Sequence, residues 1–116
     1  MIFPERVKPA CFREFPDAGF EWIRLEDDRG VLGHAALGAH PDWLELHVGL
    51  TRVNRAVLAD DLERLRHWAR REGFRAIRGR APAGASRLPA LARACGYACR
   101  TQREHGRDYD LVELEV

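Results

Sequence analysis

The chain has 116 residues, 46% of them hydrophobic and 32% charged, and carries a net charge of +1 at pH 7. That is enough chain for one hydrophobic core and not for two, so a single domain over 1–116 is expected. A balance so near neutral gives no field to draw in nucleic acid or anionic lipid, and neither is expected as a partner. Lys8 is the only lysine, a bias toward arginine that carries no functional weight.

The first nineteen positions are punctuated by Pro4, Pro9, Pro16 and Gly19, which leaves an irregular segment with room for one short strand or helical turn. Proline and charge break up its apolar residues, so it is neither a signal peptide nor a membrane span, and a cytoplasmic location is expected. "FEWIRLE" (20–26) and "VLGHAALG" (31–38) read as strands joined by the turn "DDRG", a hairpin. After "AHPD", a third strand is predicted over "WLELHVGL" (43–50), where Leu44, Leu46, Val48 and Leu50 alternate with Glu45, His47 and Gly49.

A long helix is predicted from about Asn54 to Arg71. Val57, Leu58, Leu62, Leu65, Trp68 and Ala69 share one face, Asn54 is the N-cap, and Gly73 ends it. Asp60 and Asp61 fall toward the positive end of the dipole and the arginines toward the negative end. "FRAIRGRA" (74–81) is a short strand. Ser86 caps a short second helix that holds Pro89 in its first turn and ends at Gly96. "YACRTQR" (97–103), the turn "EHGRD" and "YDLVELEV" (109–116) close the chain as a hairpin. The order is β-β-β-α-β-α-β-β, an α/β (α+β) mixed sheet with its long helix after the third strand.

Three pieces of this pattern, "GVLGHAAL", "LELHVGLTRVNRAVLADDLERLRHWARREGF" and "RLPALARACGYACR", resemble the GNAT acyltransferase family over about residues 20–116. They match that family's third strand, its fourth strand with the acetyl-CoA helix, and its Gly-aromatic helix end. The resemblance implies a cofactor, acetyl-CoA, with its diphosphate at the strand-to-helix junction on Arg/Gln-x-x-Gly-x-Gly/Ala. Glycines belong there because backbone N–H groups must reach the phosphates with no side chain between.

This chain departs from that pattern. With Arg52 on the first position, Arg55 and Val57 stand on the two glycines, and no glycine lies between Gly49 and Gly73. Counting back from Gly96 puts Ala92 where family members carry the tyrosine that protonates the leaving thiolate, and Ala85 where they carry an asparagine. The N-terminal segment is also too short for the two helices that wall the acceptor. The expectation is therefore a trimmed GNAT-like domain with a degenerate acetyl-CoA motif, no acetyl transfer and no cofactor, acting through a protein partner or self-association. Small versions of the fold in phage genes extend this to a virion-associated role. The alternative is an active N-acetyltransferase, with Arg52, Asn54 and Arg55 at the diphosphate and Glu45 or His47 as base toward an amine.

Glu45 and His47 share a strand face, where the simplest reading is a hydrogen-bonded or solvated surface. Arg64, Arg66, Arg70, Arg71, Arg75 and Arg78 are expected to be a solvated stripe. Trp22, Trp43 and Trp68 are read as core and edge aromatics, and the remaining histidines as scattered. Cys11, Cys95 and Cys99 have neither a disulfide framework nor a four-ligand zinc spacing, so buried thiols and no metal are expected.

Overall fold

The computed structural model describes residues 1–84 and 88–116. Ala85 and the Ser86 cap lie outside the described residues. A short strand β1 (Ile2–Glu5) and a 3-10 turn (Ala10–Phe12) precede β2 (Glu21–Asp27), β3 (Gly30–Ala39) and β4 (Trp43–Leu50). Then come α1 (Arg55–Arg71), β5 (Ala76–Pro82), α2 (Leu88–Ala94), β6 (Cys99–Glu104) and β7 (Arg107–Glu115). The segment expected to be irregular supplies both a strand and a helical turn. Residues 2–5 pair antiparallel with β2 and extend the sheet by one strand.

The sheet runs β1-β2-β3-β4-β5-β7-β6. Its one parallel pair, β4–β5, is the pair that needs a crossover, and α1 is that crossover. Leu58, Leu62, Leu65 and Ala69 of α1 are buried, and the last three join a core with Ala35, Leu37, Leu44, Leu46, Ile77, Ala92, Val112 and Leu114. Asp61 lies on the same buried face and meets the Met1 nitrogen at 3.1 Å rather than sitting in the first turn of the helix. The opposite face of the sheet is covered over β2 and β3 by Phe12, Phe15 and Phe20 around Trp22 and Ala36. Over β4, β5 and β7 that face is open, a depression of about 860 Å³.

Both helices stop the same way. Gly73 and Gly96 take φ of 92° and 86°, conformations that side chains resist. The next residue, Phe74 or Tyr97, donates its N–H back to Ala69 O at 2.9 Å or Ala92 O at 2.8 Å. Each Gly-aromatic pair is thus a Schellman stop. Among the described residues, no helix is long and apolar enough to cross a membrane.

Candidate functional site

The β4-to-α1 junction is built around a bulge. Leu25 opposes Gly33 and Glu26 opposes Val31, so Leu32 is the extra residue of β3. Its carbonyl accepts from Thr51 N at 2.8 Å and from Thr51 Oγ1 at 3.1 Å, which pins the chain as it leaves β4. Arg52 is thereby directed at Asp27, the last residue of β2. Arg52 Nη1 donates to Asp27 Oδ2 at 2.7 Å, Nη2 donates to Oδ1, and Nη2 also reaches Gly30 O. Asn54 donates from Nδ2 to the same carboxylate at 2.9 Å, while its Oδ1 accepts the Val57 N–H at 3.3 Å as the helix cap. Arg29 N–H completes the set at 2.9 Å. The hydrogen bonds from Arg52, then those from Asn54, hold the Asp27 carboxyl well below the usual carboxylate range, against the opposing effect of burial.

Further along the sheet, β4 and β5 pair only from Trp43↔Ala76 to Glu45↔Arg78. Both strands continue, to Leu50 and Pro82, and part as they go. The gap between them, about 420 Å³, is lined by residues that include Leu46, His47, Val48, Gly49, Gly79 and Arg80. On the open face beside it, Glu45 receives two imidazoles: His47 Nε2 at 2.5 Å from Oε2, and His40 Nε2 at 2.8 Å from Oε1. Burial pushes the Glu45 carboxyl up, but hydrogen bonds and charge from His47 and His40 outweigh it, and the net shift is downward. His40 stacks on Trp43 at 3.7 Å, and Phe15 meets His47 edge-on. Sequence reading paired Glu45 with His47 and passed over His40, which a turn brings back alongside.

No protein-family model and no curated protein matches this chain. Solved structures do. A GNAT family acetyltransferase from Elizabethkingia anophelis with acetyl-CoA bound superposes with a TM-score of 0.71 at 13% identity, covering 100% of this chain and 97% of the other. An IAA acetyltransferase from Bacillus cereus gives 0.67 at 14% identity, with both chains covered completely. The ribosomal-protein-S18-alanine N-acetyltransferase from Escherichia coli gives 0.63 at 14% identity, over 97% of this chain and 81% of that one.

The chain has the GNAT fold. Two of these matches cover nearly the whole of their own chains, so the short N-terminal segment does not set this chain apart from acetyltransferases of the same fold. The positions that the GNAT motif assigns to the diphosphate are occupied as follows. Arg52 and Asn54 face Asp27, and the exposed Arg55 opens the helix. Val57 packs on the cluster of Leu25, Leu32 and Leu58. Ala92, at the GNAT tyrosine position, is fully buried in the core. The phenol near the end of α2 is that of Tyr97, and its hydroxyl donates to Glu63 on α1.

The arginines of the expected stripe divide. Arg64 pairs with Asp60, Arg66 with Glu63, and Arg78 with Glu113 across to β7, while Arg70, Arg71 and Arg75 are exposed. Among the described residues, no group of three or more His, Cys, Asp or Glu is placed to hold a metal.

Proposed function

We propose that this chain is a GNAT-fold domain that has given up acetyl transfer and works by binding a protein partner. The observation that carries the reading is the Asp27 carboxylate, which takes both ends of the Arg52 guanidinium and the Asn54 amide. A diphosphate at the N-terminus of α1 would have to displace Asn54 from the Val57 N–H and draw Arg52 away, leaving Asp27 buried and uncompensated. It would also meet the exposed Arg55 side chain where a glycine is wanted, whereas Val57 is packed inward on Leu25, Leu32 and Leu58. The residues present do not fit the group, and Ala92 offers no proton to a leaving thiolate. The resemblance to small versions of the fold in phage genes extends this reading to a partner in a virion or a host protein.

The test is calorimetric titration with acetyl-CoA and with CoA, supported by melting temperature. A helix terminus without its other donors supplies only about 1 kcal/mol, so the expected affinity is no tighter than about millimolar. Micromolar binding overturns the reading. It would select instead an N-acetyltransferase acting on an amine, with Glu45 or His47 taking the amine proton. The parted β4 and β5 strands and the carboxylate–imidazole cluster beside them favour that second reading.

A further inference from the structure

We infer that the groove between the second half of α1 and the β1–β2 edge of the sheet seats an acidic amphipathic helix of the partner. The inference rests on the binding role proposed above and names the surface that would serve it.

The layer of helices on this face of the sheet is incomplete. Seven strands set about 4.8 Å apart span about 29 Å, and packed helices stand about 8–10 Å apart, so the face has room for three. Among the described residues it carries two, with α2 over β6 and β7. α1 starts near β2, where Val57 and Leu58 pack on Leu25, and ends just before β5. Its course leaves a wedge beside its second half, a groove of about 510 Å³. Ile23 of β2 and Leu37 of β3 form the floor, Leu65 and Trp68 the α1 wall, and Ile2 of β1 the far rim. Ile2, Ile23 and Trp68 are only half-buried, although each packs against the core.

The charges beside the groove define the helix that fits it. Arg64 lines the groove and, with His67, Arg70 and Arg71, also lines a shallow hollow next to it. Arg64, His67 and Arg71 are spaced three and four apart, so they form one line along α1 beside Trp68. Arg64 meets Asp60 at 2.9 Å, whereas Arg70 and Arg71 are exposed and make no ion pair among the described residues. An apolar groove with a basic rim complements a helix whose apolar stripe is flanked by Asp or Glu. This is the helix-in-groove mode, with anchors at i, i+3, i+4 and i+7, and tryptophan is enriched among the residues that carry such contacts. A second copy of the chain does not offer that helix. Its α2 has Arg93 and no acidic residue, and the apolar face of its α1 is already buried.

The experiment is selection of a displayed library of helical peptides on the intact chain, each about sixteen residues long, a little over four turns. Enriched peptides are then titrated by calorimetry and by the NMR signals of the indole N–H groups. The expected result is enrichment of apolar residues at i, i+3, i+4 and i+7 flanked by Asp and Glu. The Trp68 indole signal moves on binding, while that of Trp43, on the open face of the sheet, stays in place. Trp68→Ala should weaken these peptides by about tenfold or more, and Arg71→Glu by roughly threefold or more. Arg103→Ala, on β6, leaves them unchanged. Should Trp68→Ala fail to fold, Arg71→Glu and the indole shift on the unmodified chain decide the matter. Absence of enrichment overturns the inference, as do enriched peptides without acidic residues or a shift confined to Trp43. A concentration-dependent dimer in light scattering that shields Trp68 also overturns it, by giving the groove to a second copy. Any of these failures, with acetyl-CoA still not binding, removes only this placement; micromolar acetyl-CoA binding removes the binding role itself.

Discussion

Arg52 and Asp27, 25 positions apart, form a two-pronged ion pair in which Nη1 donates to Oδ2 at 2.7 Å and Nη2 to Oδ1. The pair ties the end of β2 to the start of the crossover, and the Leu32 bulge supplies the geometry that brings them together. A fork-to-carboxylate match of this kind has directional specificity that a lysine would lack.

The depressed carboxyl of Asp27 makes stability depend on acid. Its ordinary value is 3.8, and the folded value lies well below that. The unfolded chain therefore takes up the proton first as pH falls, and folding loses ground below about pH 4. Above that the contribution is fully present. Asp27→Asn should melt lower than wild type at neutral pH and should lack this part of the acid slope, as read from melting temperature against pH.

Burial along α1 separates the effects of two substitutions about two turns apart. Leu62 is 5% exposed within the main core, so Leu62→Ala should cost about 2–5 kcal/mol as a cavity. Arg70 is exposed, and Arg70→Ala should change stability by under about 0.5 kcal/mol. Urea unfolding of the two variants checks the phase of the helix, and equal losses would contradict it.

The helix stops carry their own test. Gly73→Ala and Gly96→Ala each force a β-carbon into the left-handed region, at φ of 92° and 86°. Each should destabilise by about 1–2 kcal/mol, although open space surrounds both positions and no clash accompanies the change. Denaturant midpoints of the single variants measure it.

Tyr97 belongs to the packing of α2 against α1 rather than to the gap. Burial, then the Glu63 carboxylate that its hydroxyl bonds, raise its pKa above the ordinary 10.0. In a Tyr109→Phe background, which leaves one phenol, absorbance titration should show phenolate forming later than in a free tyrosine. Glu63→Gln should bring that transition down without returning it fully, because burial remains.

On the proposed reading, a diphosphate site needs Arg52 freed from Asp27 as well as glycines introduced at positions 55 and 57. Arg55→Gly with Val57→Gly should leave acetyl-CoA binding weak, since Asp27 still holds Arg52. Adding Asp27→Asn should bring the affinity below about millimolar. Calorimetry on the double and triple variants, at a temperature where circular dichroism shows both folded, distinguishes the two.

Periodicity carried far in this protein because the signals are local. The alternation of Leu44, Leu46, Val48 and Leu50 set β4 at Trp43–Leu50, and the 3.6-residue spacing from Leu58 to Ala69 set the buried face of α1. Asn54 and Gly73 marked the ends of α1 because capping concerns only neighbouring backbone groups. What tertiary structure decided is of another kind. Asp27 read as a turn former, and Arg29 N–H does close such a turn on it, but its bond to Arg52 depends on a β-hairpin and a bulge far away in sequence. His40 joined Glu45 only through the bend between β3 and β4. Asp61 sits among the leucines of α1 because it meets a polar partner there. The parting of β4 from β5 beyond Glu45 and Arg78 is set by pairing between segments far apart in the chain, which the local sequence of neither strand records. A side chain's period tells which way it points; only the folded chain tells what stands opposite.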